Sequence, residues 1–213
     1  PMCRYLHISK AHCNIQLSAT LGSAMKPPKR ITTSAVLLAC SWAALAGRPA
    51  GITAFACKDG QVLHLLAFDN GPARQAWGHF GGKSEPYETP QATATREFFE
   101  ESNCFYNLAK SGSSLSAASK APGSSFLTFS AKVPYVPAED IAVTRDCVHV
   151  ERSQWVWVTH SELQAALDSQ DQSPVLATAD GPVDSVRLWS ESINALRQAR
   201  KDGLLPDSAQ CNV

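Results

Sequence analysis

The spacing of apolar residues in the middle of the chain predicts a β-sheet. Two apolar runs of strand length, Ile52 to Cys57 and Val62 to Phe68, are joined by Lys58-Asp59-Gly60, whose Asp-Gly pair is typical of a tight hairpin. Apolar and polar residues alternate from Leu127 to Tyr135, which predicts a half-buried strand, and Gln154 to Val158 predicts a strand with both tryptophans on one face. We therefore expect an antiparallel pair followed by two more strands.

Three segments carry the signals of helices. Thr89 is a suitable N-cap and Pro90 a favoured first residue, which predicts a helix over about 90–102. Ser161-Glu-Leu-Gln164 has the spacing of a capping box, so a short helix is expected to follow it. A last helix is predicted by apolar residues at helical spacing and a glycine stop: Val186, Trp189, Ile193, Leu196 and Gly203.

The segment from Ala109 to Ser125 differs from its neighbours, since it holds seven serines and few apolar residues. We predict that it is a mobile surface insertion near a substrate entrance. Apart from this insertion, strand and helix patterns alternate along the chain, which indicates an α/β fold.

Composition narrows the class of protein. A chain of 213 residues suits one α/β domain with a leader and a tail, and 19 basic residues balance 19 acidic ones. This balance argues against a dedicated nucleic-acid-binding protein and leaves nucleotides open as ligands. The longest strongly apolar run, Ala35 to Ala46, has 12 residues, whereas a membrane span needs about 20. A globular protein without a membrane span is expected.

The first 58 residues contain seven basic residues and no acidic one. A basic start from Met25 to Arg30, an apolar run and the small residues Ala44-Leu-Ala46 together have the layout of a secretory signal. We predict a removable leader over 1–46, a globular domain over 50–200 and a C-terminal tail over 201–213. Export to a periplasm or secretion is expected if translation begins at Met25.

Other interpretations of the leader remain open. Its acid-free composition also suits an organellar transit peptide, and the residues before Cys40 weakly resemble a lipoprotein cleavage box. A buried N-terminal helix of a cytoplasmic protein is the remaining alternative.

Seven cysteines occur without a Cys-x-x-Cys pair, so the sequence indicates neither a zinc knuckle nor a dithiol redox motif. Four cysteines would remain after cleavage behind Ala46: Cys57, Cys104, Cys147 and Cys211. Disulfides are permitted in an exported domain, but a domain of this size does not need them. Buried free thiols are therefore expected.

Candidate chemistry is concentrated between Trp77 and Cys104. On the helix expected there, Glu97, Glu100 and Glu101 fall within an arc of about 100°, so three carboxylates share one face. Like charges at this spacing cost about 0.2–0.5 kcal/mol per pair, and acids in the last turn oppose the helix dipole. A divalent cation would offset this repulsion, because Mg²⁺ accepts carboxylate oxygens. A solvated acidic face is the alternative.

Six residues of this region follow a fixed spacing: Gly82, Glu88, Arg96, Glu97, Glu100 and Glu101. The pattern Gly-x5-Glu-x7-Arg-Glu-x2-Glu-Glu resembles the Nudix box, and it arises by chance on the order of once in 10⁷ windows. The box covers residues 82–104. The resemblance implies a Nudix-type α/β/α sandwich with a mixed β-sheet over about residues 50–200.

The same resemblance implies a metal-dependent hydrolase of a nucleoside diphosphate linked to another moiety. The implied ligands of Mg²⁺ or Mn²⁺ are three carboxylates and a backbone carbonyl: Glu97, Glu100, Glu101 and Gly82. Glu88 and Arg96 are implied to orient the loop and the helix by pairing. Water would attack phosphorus while a carboxylate takes its proton, with Glu97 as the favoured base. Glu151 is the alternative base, and an exposed loop acid is the plainer interpretation of it.

Three positions depart from the family pattern without removing a ligand. Asn103 replaces the last glycine of the box, and Asn tolerates the left-handed conformation at the end of a helix. Cys104 replaces a larger apolar residue, as a small buried thiol can do. Phe80-Gly81 stands where Pro-Gly is common, which concerns the rigidity of the loop.

The sequence leaves the substrate open within one chemical class, a small nucleotide diphosphate derivative. The residues that follow Asn103 lack the spacings typical of ADP-ribose and diadenosine polyphosphate hydrolases. Trp77 and His79 could touch a substrate base, or they belong to the core. The sequence also leaves open whether the protein forms a homodimer, as members of this family often do. The rival functions are a binding module that senses a nucleotide without turnover and a structural protein with an acidic helix.

Overall fold

The computed structural model describes residues 47–143, 147 and 151–211. The predicted leader over 1–46 lies outside the described residues, as do the alternatives for it. Within the part of the chain that is described, no helix is long and apolar enough to cross a membrane.

Two nine-residue strands form the centre of the sheet. β1 (Ala50–Lys58) and β2 (Gln61–Asp69) pair antiparallel. Between them, Asp59 and Gly60 have φ values of 50° and 74°, and positive φ at both central residues is what a type I′ hairpin turn requires. The predicted hairpin is confirmed.

Four further strands complete a six-stranded sheet. β5 (Leu127–Lys132) runs parallel to β1, and β6 (Arg152–Thr159) runs antiparallel to β2. Past the residues where they pair with each other, the two central strands separate: β1 pairs with β4 (Phe80–Gly82) and β2 with β3 (Ala76–Gly78). The sheet is therefore mixed, as predicted, and it contains a fork between β3 and β4.

The other elements of the described residues are helices and a two-stranded ribbon: α1 (Pro90–Glu101), α2 (Leu108–Ser111), a 3-10 helix (Ala138–Val143), α3 (His160–Asp168), β7 (Val175–Ala177), β8 (Ser185–Arg187), α4 (Ser190–Lys201) and a 3-10 helix (Ser208–Cys211).

Helices cover both faces of the large sheet. On one face, Phe98 of α1 is fully buried, with its ring 4.7 Å from that of Phe80. On the other face, Leu163 of α3 and Ile193 of α4 are fully buried in a second cluster together with Val156 of β6. Apolar side chains on both sides of the sheet drive this layering. The predicted α/β/α sandwich is confirmed.

The serine-rich segment over 109–125 is docked along β5 and is not a free surface loop. Ser119 and Thr128 exchange two backbone hydrogen bonds of 2.8 Å, and the Ser116 N–H donates to the carbonyl of Ser130 at 3.0 Å. On the face predicted to be polar and exposed, Thr128 and Ser130 of β5 are buried. The prediction of a half-buried strand was therefore wrong for most of β5.

Two helix predictions need correction at their starts. α3 begins one residue before the predicted capping box, because Thr159 and not Ser161 is the N-cap: its Oγ1 accepts the Glu162 N–H at 3.2 Å. Val186 belongs to β8, where it pairs with β7, and not to the last helix. The predicted stop at Gly203 agrees with its φ of 71° just beyond α4.

The expectation of free thiols was wrong. Cys57 is disulfide-bonded to Cys211, and Cys104 to Cys147, across 154 and 43 residues of chain. The first disulfide attaches the segment predicted as a C-terminal tail to β1. Cys104 is thus a half-cystine and not the small buried thiol that the box pattern suggested.

Candidate active site

Helix α1 carries three glutamates of the box, Glu97, Glu100 and Glu101, in its last two turns. It begins as predicted, with the Thr89 Oγ1 accepting the Ala92 N–H at 3.2 Å and Pro90 in the first turn. It ends in two left-handed residues, Asn103 with φ 54° and Cys104 with φ 58°. The prediction that Asn103 takes the place of a glycine in this conformation is confirmed.

Arg96 joins the loop before α1 to the carboxylates on the helix. Its Nε donates to Glu88 Oε1, its Nη1 to Glu100 Oε2 and its Nη2 to the carbonyl of Lys83, each at 2.8 Å. Nη2 also lies 3.0 Å from Glu97 Oε1. The bonds from Arg96 hold the pKa of Glu88 at about 2. The predicted pairing of Glu88 with Arg96 is thus present, and it fixes the loop against the helix.

Glu97 fills the space beside Gly82. A Cβ atom at Gly82 would lie 2.4–2.6 Å from the three carboxyl atoms of Glu97, so only glycine leaves room for this carboxylate. Glu97 is buried. Burial raises its pKa against the opposing effect of Arg96, and the charges of Glu151 and Glu100 act in the same direction as burial.

Glu101 is held by groups that the sequence did not indicate. Its Oε2 accepts the Gly81 N–H at 2.7 Å, and its Oε1 accepts from Arg152 Nε at 3.0 Å. Arg152 also lies 2.6 Å from Asp69 Oδ2 through its Nη1. Burial raises the pKa of Glu101 to about 7, with the Arg152 charge opposing it. One signal for Arg152 was available: a charged residue stands two positions before the strand predicted at Gln154 to Val158.

Three carboxylates converge on one point. Oxygens of Glu97, Glu101 and Glu151 all lie within 4.8 Å of one another. Glu100, a predicted ligand, pairs instead with Arg96 in this structure, and Glu151, predicted only as an alternative base, completes the trio. Such a set of hard oxygen donors fits Mg²⁺ or Mn²⁺, because a divalent cation offsets the repulsion between the carboxylates.

A cavity of about 600 Å³ opens beside this cluster, at the fork of the sheet. Its volume lies within the range of small-molecule binding sites. Its lining includes residues of α4 as well as Gly82 and Arg152, which contact the buried glutamates. His79 also lines the cavity, whereas Trp77 is buried in the core. The serine-rich segment contributes Ala121, Pro122 and Ser124 to the wall, in agreement with its predicted place near a substrate entrance.

The family model of the NUDIX domain matches residues 47–179. This match spans more than half of the chain, so the chain belongs to the Nudix family, and the resemblance found in the sequence is confirmed. No curated protein matches this sequence.

Solved structures with a similar fold come from several organisms. An Ap4A hydrolase of C. elegans is 20% identical, covers 57% of this chain and 84% of its own, and has a TM-score of 0.38. A mutT/nudix family protein of Listeria innocua is 16% identical over 73% and 92% of the two chains, with a TM-score of 0.45. The NUDIX domain of Shewanella oneidensis NrtR complexed with ADP ribose is 14% identical over 81% and 99%, with a TM-score of 0.43. These weak likenesses do not bear on what this chain binds or cleaves.

Proposed function

We propose that this protein is a metal-dependent hydrolase that cleaves a phosphoanhydride in a nucleoside diphosphate linked to another moiety. The observation that carries the proposal is the trio of carboxylates next to Gly82 and Arg152, two residues that line a cavity of about 600 Å³. A cluster of acids alone would be compatible with a solvated surface. Here two of the three, Glu97 and Glu101, are buried, which a solvated acidic face does not explain.

In this proposal a bound cation and the residues around it have separate roles. A divalent cation at the trio supplies positive charge that offsets the repulsion between a diphosphate and an incoming hydroxide. Arg96 and Glu88 fix the loop against α1, and Arg152 together with the Gly81 N–H orients Glu101. With the carboxylates held in one geometry, little reorganisation is needed when the substrate binds.

Glu97 is our proposed general base. It is buried beside the loop, and burial raises its pKa, which brings a carboxylate closer to the range in which a base works well near neutral pH. Glu151 is exposed at the rim of the same trio. Glu97→Gln should lower kcat by at least 10²-fold at saturating Mn²⁺, and Glu151→Gln should lower it less. Near-normal kcat in Glu97→Gln would overturn this assignment.

Turnover tests the function as a whole. Purified protein with Mg²⁺ or Mn²⁺ should release phosphate esters from at least one compound in a panel of dinucleotides and nucleotide sugars. Tight binding without product would favour a nucleotide sensor. A cation that binds the native state must stabilise it, so an unchanged melting temperature in millimolar Mn²⁺ would favour a merely structural acidic helix.

We also propose that the protein works in an oxidising compartment, as export would provide. The two disulfides support this proposal, because disulfides persist outside the reducing cytosol. Mass spectrometry of the protein isolated from its own cells, without reductant, should find both disulfides and a new N-terminus near residue 47. An intact N-terminal segment with four free thiols would contradict it.

A further inference from the structure

His79 is the single residue between β3 and β4, and it lies where the two central strands separate. The next residue, Phe80, turns into the core and packs edge-on against Phe98. Successive side chains of an extended chain point to opposite sides, so His79 faces away from that core, toward α4. The ring of Phe126 lies at 5.6 Å from the His79 ring in an edge-to-face arrangement.

Ser192 on α4 fixes the orientation of this ring. The backbone N–H of His79 donates to Ser192 Oγ at 2.9 Å, and the same oxygen lies 2.5 Å from His79 Nδ1. Since Oγ already accepts one proton, its own hydroxyl proton satisfies both residues best when it is donated to Nδ1. The other ring nitrogen, Nε2, then carries the hydrogen.

The Nε2–H group of His79 has no hydrogen-bond acceptor among the described residues. The Nε2 atom is buried as well. Burial lowers the pKa of His79 to about 4, and the nearby charge of Arg152 adds to this, so the ring is neutral at pH 7. An unpaired buried donor costs about 1–3 kcal/mol, which a partner from outside the described residues would offset.

The position of His79 indicates where that partner comes from. His79 lines the cavity together with Gly82 and Arg152, and both of these contact the buried glutamates. A diphosphate at the glutamates would therefore extend its attached group past Arg152 toward the His79 ring. The donors of Arg152 already pair with the carboxylates of Glu101 and Asp69. The Nε2–H group of His79, in contrast, is a donor that has no acceptor among the described residues.

We propose that His79 is a substrate-binding residue whose Nε2–H donates to an acceptor oxygen on the moiety attached to the diphosphate, and that Ser192 positions it. This inference rests on the proposed function for the direction in which the substrate lies. Such a neutral donor selects for an oxygen at one place in the attached group, either a sugar hydroxyl or a base carbonyl. It is thus a determinant of which nucleotide derivatives the protein accepts.

The test compares His79→Phe, His79→Gln and Ser192→Ala with the wild type. Phenylalanine keeps a flat ring without a donor, glutamine restores an N–H, and alanine removes only the hydroxyl that holds the ring. For the best compound of the substrate panel, His79→Phe should raise KM about tenfold with kcat within twofold, since one hydrogen bond of about 1.4 kcal/mol corresponds to that factor. His79→Gln should recover part of the loss, and Ser192→Ala should raise KM about threefold.

His64→Phe is the matched control. His64 is also buried with one ring nitrogen, Nδ1, that has no partner among the described residues, but it does not line the cavity. It should alter the melting temperature and leave KM unchanged. An equal effect of His64→Phe and His79→Phe on KM, or a His79→Phe protein with unchanged KM, would overturn the proposal.

A binding measurement separates this inference from the proposed function. GDP and ribose 5-phosphate are titrated calorimetrically into each variant with Mn²⁺ present. Weaker binding of both ligands to His79→Phe supports a sugar oxygen as the acceptor, and weaker binding of GDP alone supports the carbonyl of the base. If GDP binding depends on His79 but no compound is hydrolysed, the inference stands and the hydrolase proposal fails. If turnover occurs and neither ligand's affinity responds to His79→Phe, only the inference fails.

Discussion

The carboxylate of Glu97 lies against the α-carbon of Gly82, where a Cβ atom would come within 2.4 Å of Glu97 Oε2. The glycine of the box thus has a steric role in addition to any role of its carbonyl. It lets a backbone loop and a buried carboxylate share one small volume. The close approach sets the position of Glu97 relative to the loop.

Gly82→Ala should therefore displace Glu97 from the carboxylate trio. The added methyl group must push the glutamate or the loop away, since contacts below 3.0 Å are not tolerated. We expect kcat/KM to fall by at least 10²-fold. We also expect the variant to lose most of the rise in melting temperature that Mn²⁺ produces in the wild type. Gly60→Ala is the control: at φ 74° and with open space around it, it should cost about 1 kcal/mol of stability and leave activity intact. Equal activities of the two variants would refute the steric explanation.

Glu88→Gln should change how stability depends on pH. Bonds from Arg96 hold the pKa of Glu88 at about 2 in the folded protein, below its ordinary value of about 4.3. The ionised group therefore stabilises the fold above about pH 4.3, and this contribution is lost as the pH falls toward 2. Urea unfolding should find the variant less stable at pH 7 and the gap narrower at pH 3. Glu85→Gln, on the exposed part of the same loop, should show no such gap, and a gap independent of pH would contradict the role of this ion pair.

Local signals predicted the parts of the fold that depend on few neighbours. The Asp59-Gly60 turn and the start of α1 at Thr89 were predicted because each is determined within about four residues. The six-residue spacing of the box likewise identified the loop and helix that carry the glutamates. The docking of the serine-rich segment on β5 was not predicted, because its backbone hydrogen bonds to a strand give no sign in its own composition.

The sequence also did not predict that the three glutamates of the helix lie in different environments. A helical projection treats Glu97, Glu100 and Glu101 alike, since all three share one face. Their environments are set by residues distant in sequence: Arg152 holds Glu101, and the loop at Gly82 encloses Glu97. Disulfide pairing was unpredictable for the same reason, since four cysteines allow three pairings and spacing does not select one.

His64 should make the protein less stable in mild acid. It is fully buried on β2, with its Nε2 3.1 Å from Nδ1 of His160, and burial lowers its pKa from about 6.5 to about 3. Between these values the unfolded chain binds a proton that the folded one does not, so stability falls as the pH drops. The slope is at most about 1.4 kcal/mol per pH unit.

His64→Leu should flatten that slope between pH 6 and 4. Thermal or urea unfolding at several pH values measures this slope. The contribution of the other histidines is the same in the wild type and in His64→Leu. His160→Gln, which changes the more exposed member of the pair, is the control and should keep most of the wild-type slope. Identical slopes for the wild type and His64→Leu would show that His64 is already protonated in the folded protein.

Removal of either disulfide should destabilise the protein. Cross-links over 154 and 43 residues restrict the unfolded chain, by about 5 and about 4 kcal/mol in the chain-entropy treatment. Cys57→Ser/Cys211→Ser should therefore lower the melting temperature more than Cys104→Ser/Cys147→Ser does. The second pair lies close in sequence to Glu101 and Glu151, so its removal should also weaken the stabilisation by Mn²⁺, whereas removal of the first should not. Because each double variant serves as the control for the other, an equal loss of Mn²⁺ response in both would mean that the disulfides act only on overall stability.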